Sequence, residues 1–188
     1  MDRTRSQARD RRYGQDQRRE QERALDRVRD QAKIRQLAKQ WRAMEEADHD
    51  PEWSHAFGRH RDISEEQLAT RAATGELPDG QKKAIPRHAT KWRSDGAMVV
   101  AADGLARSDD YRKARAYAEA SGQDRFKVVR PLAEVLGPGW RADVDGRSAA
   151  SGGTLASQWN DDSTAVGRWQ RQSDGRWHPV TCFPEPGD

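Results

Sequence analysis

Five histidines, His49, His55, His60, His88 and His178, are the side chains best suited to move a proton near neutral pH, because an imidazole titrates at about 6.5 and small shifts bring it to the working pH. Taken singly, each reads equally well as a surface or structural histidine. The spacing His55-x4-His60-x10-Arg71 says more than its members. Ser64 and Gln67 stand at capping-box spacing ahead of Leu68, Ala69 and Ala72, and Gly75 supplies a stop, so a short helix is expected from about 65 to 74. That helix fixes Arg71 on one turn and leaves His60 in the loop before it. An imidazole and a guanidinium so held suit a phosphodiester, since the arginine fork pairs with phosphate oxygens bidentately and keeps its charge. Arg71 fits equally well as a solvent-facing cation ending a helix, and the spacing leaves both readings open.

At the other end of the chain, Arg176-Trp177-His178-Pro179-Val180-Thr181-Cys182-Phe183-Pro184 alternates. A strand here puts Trp177, Pro179, Thr181 and Phe183 on one face and His178, Val180 and Cys182 on the other. Thr181 and His178 then share a cleft only if a bulge intervenes. Pro179, which cannot donate to a ladder, favours an edge position or such an irregularity. Thr181 ranks ahead of His178 as a site residue.

The elements that must position these groups divide the chain in two. Residues 1–48 carry 14 basic and 10 acidic side chains and one of the seven tryptophans, Trp41. Residues 49–188 carry 20 basic and 21 acidic side chains and the other six. The expected organisation is a charged helical arm or linker over 1–50 and an α+β domain over 51–188, a size that buries roughly two-thirds of its unfolded surface. From Gln15 to Ala47 there is neither Gly nor Pro, and Ile34, Leu37, Trp41 and Met44 draw a narrow apolar stripe, so a long helix is expected. Its charges are mixed in sign, which reads either as a solvated linker or as a surface for RNA or a partner.

Further along, a short strand is expected at 89–93, helices capped by Ser94 and Ser108 follow, and Gly122 ends the second. A strand at 126–129 and three β-runs at 154–159, 164–170 and 176–183 complete the chain, the last three as an antiparallel meander. The fold class is therefore α+β, a charged N-terminal helix followed by helices packed on a C-terminal antiparallel sheet.

Composition removes several function classes. The longest apolar run, Ala97 to Ala102, falls far short of the roughly 18–20 residues that span a bilayer, and the charged N-terminus lacks the apolar stretch of a secretory signal. No membrane partner and a cytoplasmic location are expected. Cys182 is the single cysteine, which permits neither an internal disulfide nor a cysteine-based zinc cluster. The sequence holds no Walker loop, dinucleotide fingerprint or His-Glu-x-x-His.

With these residues in place, the chain resembles a family. Phe57-Gly58-Arg59-His60-Arg61-Asp62-Ile63-Ser64-Glu65-Glu66-Gln67-Leu68-Ala69-Thr70-Arg71 is similar to the "RHVG(K/R)S…L…R" opening of the bacterial RNase A-like toxin domain, found at the C-termini of contact-dependent growth inhibition proteins and other polymorphic toxins. His88-Ala89-Thr90-Lys91-Trp92-Arg93-Ser94 is similar to its "A-(S/T)-x-(F/W)-x-(S/D)" strand, and Thr181-Cys182-Phe183-Pro184 to its closing "T-x-Y-P". The resemblance covers about residues 53–184 and lies in three short motifs in the right order. It implies an RNase A-like α+β fold and a metal-independent ribonuclease that needs no cofactor. It also implies a toxin that acts on RNA such as tRNA in a target cell's cytoplasm and is restrained by a cognate immunity protein. The family's histidine and arginine fall on His60 and Arg71, and its threonine on Thr181. Its tyrosine falls on Phe183, which has no hydroxyl.

The chemistry suits the residue types on its own terms. RNA carries its own nucleophile, the 2′-hydroxyl, so cleavage needs a base, positive charge on the developing phosphorane and an acid for the leaving 5′-oxygen. His60 is the proton-transfer group, Arg71 stabilises phosphate oxygens and Thr181 orients by hydrogen bonding. The second proton-transfer group is open between His55 and His178. Trp92, Trp177 and Phe183 are candidates to stack on a base, with core packing as the plainer role for the tryptophans. Two other readings stand beside this one: a non-catalytic nucleic-acid or partner-binding module of a mobile element or secretion system, using the basic arm, and a different histidine-based nuclease fold.

Overall fold

A computed structural model describes residues 30–47 and 55–187; the expected helix over 15–29, with His49 and Trp53, lies outside the described residues. Helix α1 covers 30–47. Helices α2 (Ala56–His60) and α3 (Glu65–Thr74), strand β1 (His88–Trp92), and helices α4 (Asp95–Ala106) and α5 (Asp109–Ser121) follow. Strand β2 (Arg125–Pro131), helix α6 (Leu132–Leu136), β3 (Val144–Ser148), β4 (Thr164–Arg171) and β5 (Trp177–Glu185) complete the order. The class is α+β with antiparallel sheets.

The helix boundaries follow from local chemistry. Ser64 Oγ accepts from the Gln67 N–H at 3.1 Å while Gln67 Oε1 accepts from the Ser64 N–H at 2.9 Å, and Gly75 closes α3 at φ 77°. This is the reciprocal box the spacing predicted. Ser94 and Ser108 cap α4 and α5 with the serine half of that arrangement alone, accepting from the Ala97 and Tyr111 N–H groups.

The sheet differs from the expected meander. β2, β4 and β5 form one antiparallel sheet, while β3, which the sequence did not signal, pairs with β1 in a second. Residues 154–159 form no strand; the segment contributes an isolated bridge, Arg147 to Ala156. Val-Asp-Gly-Arg-Ser has little strand character of its own. Tertiary packing selects it, because Gly146 lets Ser157 approach so closely that a Cβ there would lie 2.8 Å from Ser157 Oγ.

The sheets meet at β5, an edge strand whose outward carbonyls need partners. Trp92 Nε1 donates to the Cys182 carbonyl at 2.8 Å and the His55 N–H donates to the Val180 carbonyl at 3.4 Å. The main core lies on one face of the larger sheet, where α4, Trp92, Leu105, Leu132 and Trp169 pack together.

Helix α1 joins this core rather than standing off from it. Trp41 and Ala38 are buried, Trp41 meets Phe57 edge-on at 5.6 Å, and Glu45 accepts from the Phe57 and Gly58 N–H groups that open α2. The described part of the arm is thus packed against the domain expected to begin at residue 51.

Candidate functional site

A cleft of about 870 Å³ opens where the two sheets meet, lined from β1 by His88 and Thr90, from α2 and its approach by His55 and His60, and from α3 by Arg71. Thr164 and Arg168 of β4 and Phe183 and Glu185 of β5 line it from the larger sheet, with Arg87 and Asp162 on loops. Three arginines against two carboxylates leave it cationic while its histidines are neutral.

His60 ends the five-residue α2 and is buried, 5% exposed. Its Nδ1 lies 3.4 Å from the Thr90 carbonyl. A carbonyl only accepts, so Nδ1 carries the proton and Nε2 keeps its lone pair. The ring is stacked on Phe183, centroids 4.8 Å apart and planes 20° from parallel, and lies 5.7 Å from the His55 ring. Burial, then the charge of Arg71, then His55 and Arg59, push its pKa well below the ordinary value against the Thr90 hydrogen bond, which raises it. His60 is therefore the neutral, base-competent form at pH 7.

Arg71 sits in the last turn of α3, where the capping box and Gly75 fix it. Its Nη1 donates to the Arg59 carbonyl at 3.0 Å, and burial, followed by the Arg59 charge, lowers its pKa. Glu65, at the start of the same helix, takes Lys91 Nζ at 2.5 Å and Arg147 Nη2 at 2.9 Å. These pairs tie α3 to β1 and β3, so Arg71 reaches the cleft and is not a solvent cation.

No protein-family profile matches the chain, and no curated protein or solved structure is similar to it at a meaningful level. The site therefore rests on its own geometry.

The remaining expected residues separate. In the β4–β5 register, Arg168 faces Thr181, Val166 faces Phe183 and Thr164 faces Glu185, so these six share the cleft side of the sheet. Thr181 lies deeper than Phe183: it is 0% exposed, is not in the cleft lining, and its hydroxyl has no hydrogen-bond partner. A bulge does occur between Arg168 and Trp169, opposite the Pro179–Thr181 stretch. His178 nevertheless pairs with Gln170 toward the far end of β5 and lines a separate groove with Trp41, Tyr111 and Trp177. This removes His178 as a partner of His60, because the bulge changes which face it takes and not its distance along the strand. Trp92 is fully buried, and Trp177 packs on Phe126 at 4.7 Å and donates to Glu119, so neither stacks on a base in the cleft.

His55 remains in the cleft, and His88 and Arg168 join it. His88 was hidden because the expected strand began one residue later. In β1, His88 alternates in step with Thr90. Arg168 stands in a strand that was expected, its guanidinium 5.8 Å from the Phe183 ring centre; only the register reveals its face.

Proposed function

We propose that this cleft cleaves RNA by attack of the 2′-hydroxyl on the neighbouring phosphate, without a metal. The observation that carries the reading is the meeting of a buried, neutral His60, its Nδ1 tied to the Thr90 carbonyl, with the Arg71 guanidinium in one cationic cleft. Because RNA supplies its own nucleophile, no metal-activated water is needed. His60 Nε2 accepts the 2′-proton. Arg71, with Arg168 lining the same cleft, compensates the charge that grows on the phosphorane oxygens. Thr181, two residues before Phe183 on the same strand face, carries a buried, unpartnered hydroxyl, to which the resemblance gives the orienting role. Phe183 holds the imidazole plane by stacking and has no hydroxyl to give.

The meeting of the two sheets at the cleft supports the RNase A-like reading of the α+β fold. The resemblance of the three sequence motifs supports the biological setting: a polymorphic toxin acting on RNA such as tRNA in the cytoplasm of a target cell, with a cognate immunity protein as partner. Among the described residues no helix is long and apolar enough to cross a membrane. Growth arrest on expression, abolished by His60→Ala and relieved by a small protein encoded next door, is the expected outcome. Normal growth with active, folded protein in the cell contradicts the toxin reading. A non-catalytic binding module instead predicts RNA retention that is indifferent to His60→Ala, weakens steeply with salt and leaves the RNA uncut.

A further inference from the structure

We propose that His88 is the general acid of this site, the group that hands a proton to the leaving 5′-oxygen; this rests on the ribonuclease reading above. Phe183 cannot fill the role, since it carries no ionisable group. His178 is in another groove. His55 lies 5.7 Å from His60 on the same approach to α2, on the side of the base.

His88 is differently placed. It lies two residues from Thr90 on β1, about 6.6 Å along an extended strand, and Thr90 is the residue whose carbonyl fixes His60. Both imidazoles line the cleft, one carried by β1 and the other held by the Thr90 carbonyl of the same strand. The Nδ1 of His88 is 3.0 Å from the hydroxyl of Ser157, which is itself 6% exposed. A hydroxyl both donates and accepts, so Ser157 holds the ring in its neutral and its protonated form and leaves Nε2 to the cleft. Burial first, and then the charge of Arg87 beside it in sequence, lower the pKa of the ring from its ordinary value, while Glu185 of β5 opposes them and favours the protonated form.

The step balances. The 2′-oxygen bonds to phosphorus and its proton passes to His60 Nε2; the bond from phosphorus to the 5′-oxygen breaks; the 5′-oxygen takes the Nε2 proton of His88. The products are a 2′,3′-cyclic phosphate and a 5′-hydroxyl, with His60 protonated and His88 neutral.

A leaving-group test isolates the acid. The p-nitrophenolate of a nucleoside 3′-(p-nitrophenyl phosphate) departs without protonation, whereas the 5′-oxygen of RNA does not. His88→Ala is expected to slow RNA cleavage about 10²–10⁴-fold and to slow the nitrophenyl ester less than about 10-fold, whereas His60→Ala slows both. The fall in RNA cleavage at the alkaline end of the pH profile should also vanish in His88→Ala. Ser157→Ala, which keeps the imidazole but frees it, should reduce RNA cleavage and shift that limb. His88→Gln provides a better packed variant if the alanine form is unfolded by circular dichroism. Equal losses on both substrates in a folded variant, or no loss on RNA, overturn the assignment while the ribonuclease reading stands. A wild-type protein that cuts neither substrate overturns the ribonuclease reading itself.

Discussion

His60 lies against Phe183 with ring centroids 4.8 Å apart, so the imidazole at the end of α2 is held by a side chain of the C-terminal strand β5. The two belong to opposite ends of the folded chain, and their contact closes one wall of the cleft. Truncation of Phe183 to Ala should admit water beside the imidazole and lessen the burial that depresses its pKa. We expect the His60 pKa to rise, read as a shift of its Cε1–H resonance in an NMR titration. The fold should lose about 1–3 kcal/mol, less than a fully buried Phe→Ala because the ring is half-buried. An unmoved titration would mean that the stack does not shield the base.

Stability should depend on pH through two groups with distinct windows. His60 has a depressed folded pKa. Its contribution is full above the unfolded value of about 6.5 and is lost as the pH falls through the folded pKa. Glu65, held down to about 2 by Lys91 and Arg147, contributes fully above about 4.5 and loses that as the pH falls toward 2. Denaturant midpoints at pH 7.5, 5 and 2.5 should decline stepwise. His60→Gln should flatten the first interval and Glu65→Gln the second.

Arg71→Lys keeps the charge but removes the fork and the bond to the Arg59 carbonyl. Cleavage should fall about 10²-fold or more in kcat, the loss typical of one donor that stabilises a developing oxyanion, with circular dichroism unchanged. A loss confined to KM would assign Arg71 to ground-state binding alone.

Thr181→Val should separate stability from function. The Thr181 hydroxyl is buried and unpartnered, and a buried polar group without a partner destabilises a fold by about 1–3 kcal/mol. The valine form should unfold at a higher denaturant concentration yet cleave RNA more slowly. A variant that is more stable and fully active would leave Thr181 no part in the reaction.

The seam between the sheets is testable at Trp92. Trp92→Phe keeps an aromatic ring in the core but deprives the Cys182 carbonyl of its donor. An orphaned buried carbonyl costs about 1–3 kcal/mol, and a chemical denaturation curve reads the change directly.

Legibility from sequence tracked the range of the interaction. The starts of α3, α4 and α5 could be read because a serine side chain meets a backbone N–H three residues on, and the ends of α3 and α5 because a glycine closes the turn. The apolar stripe through Trp41 was equally readable, but its docking against Phe57 was not, since a stripe names a buried face and no partner. β3 escaped notice because its pairing with β1 is decided by packing around Gly146 and Ser157, distant residues that carry no local signal. The candidate site divides likewise. His60 and Arg71 stand out through the capped helix between them. His88 and Arg168 emerge only when strand register assigns each a face. Thr181 was on the cleft side of its strand, but depth is a tertiary property.

The most direct measurement incubates the 188-residue protein and its His60→Ala variant with mixed RNAs in excess chelator, and maps the ends of any fragments. Fragments ending in 2′,3′-cyclic phosphate and beginning with 5′-hydroxyl, formed at least about 10²-fold more slowly by the variant, are the expected result. Intact RNA, or equal cleavage by both proteins, would contradict the assignment of this cleft as a ribonuclease site.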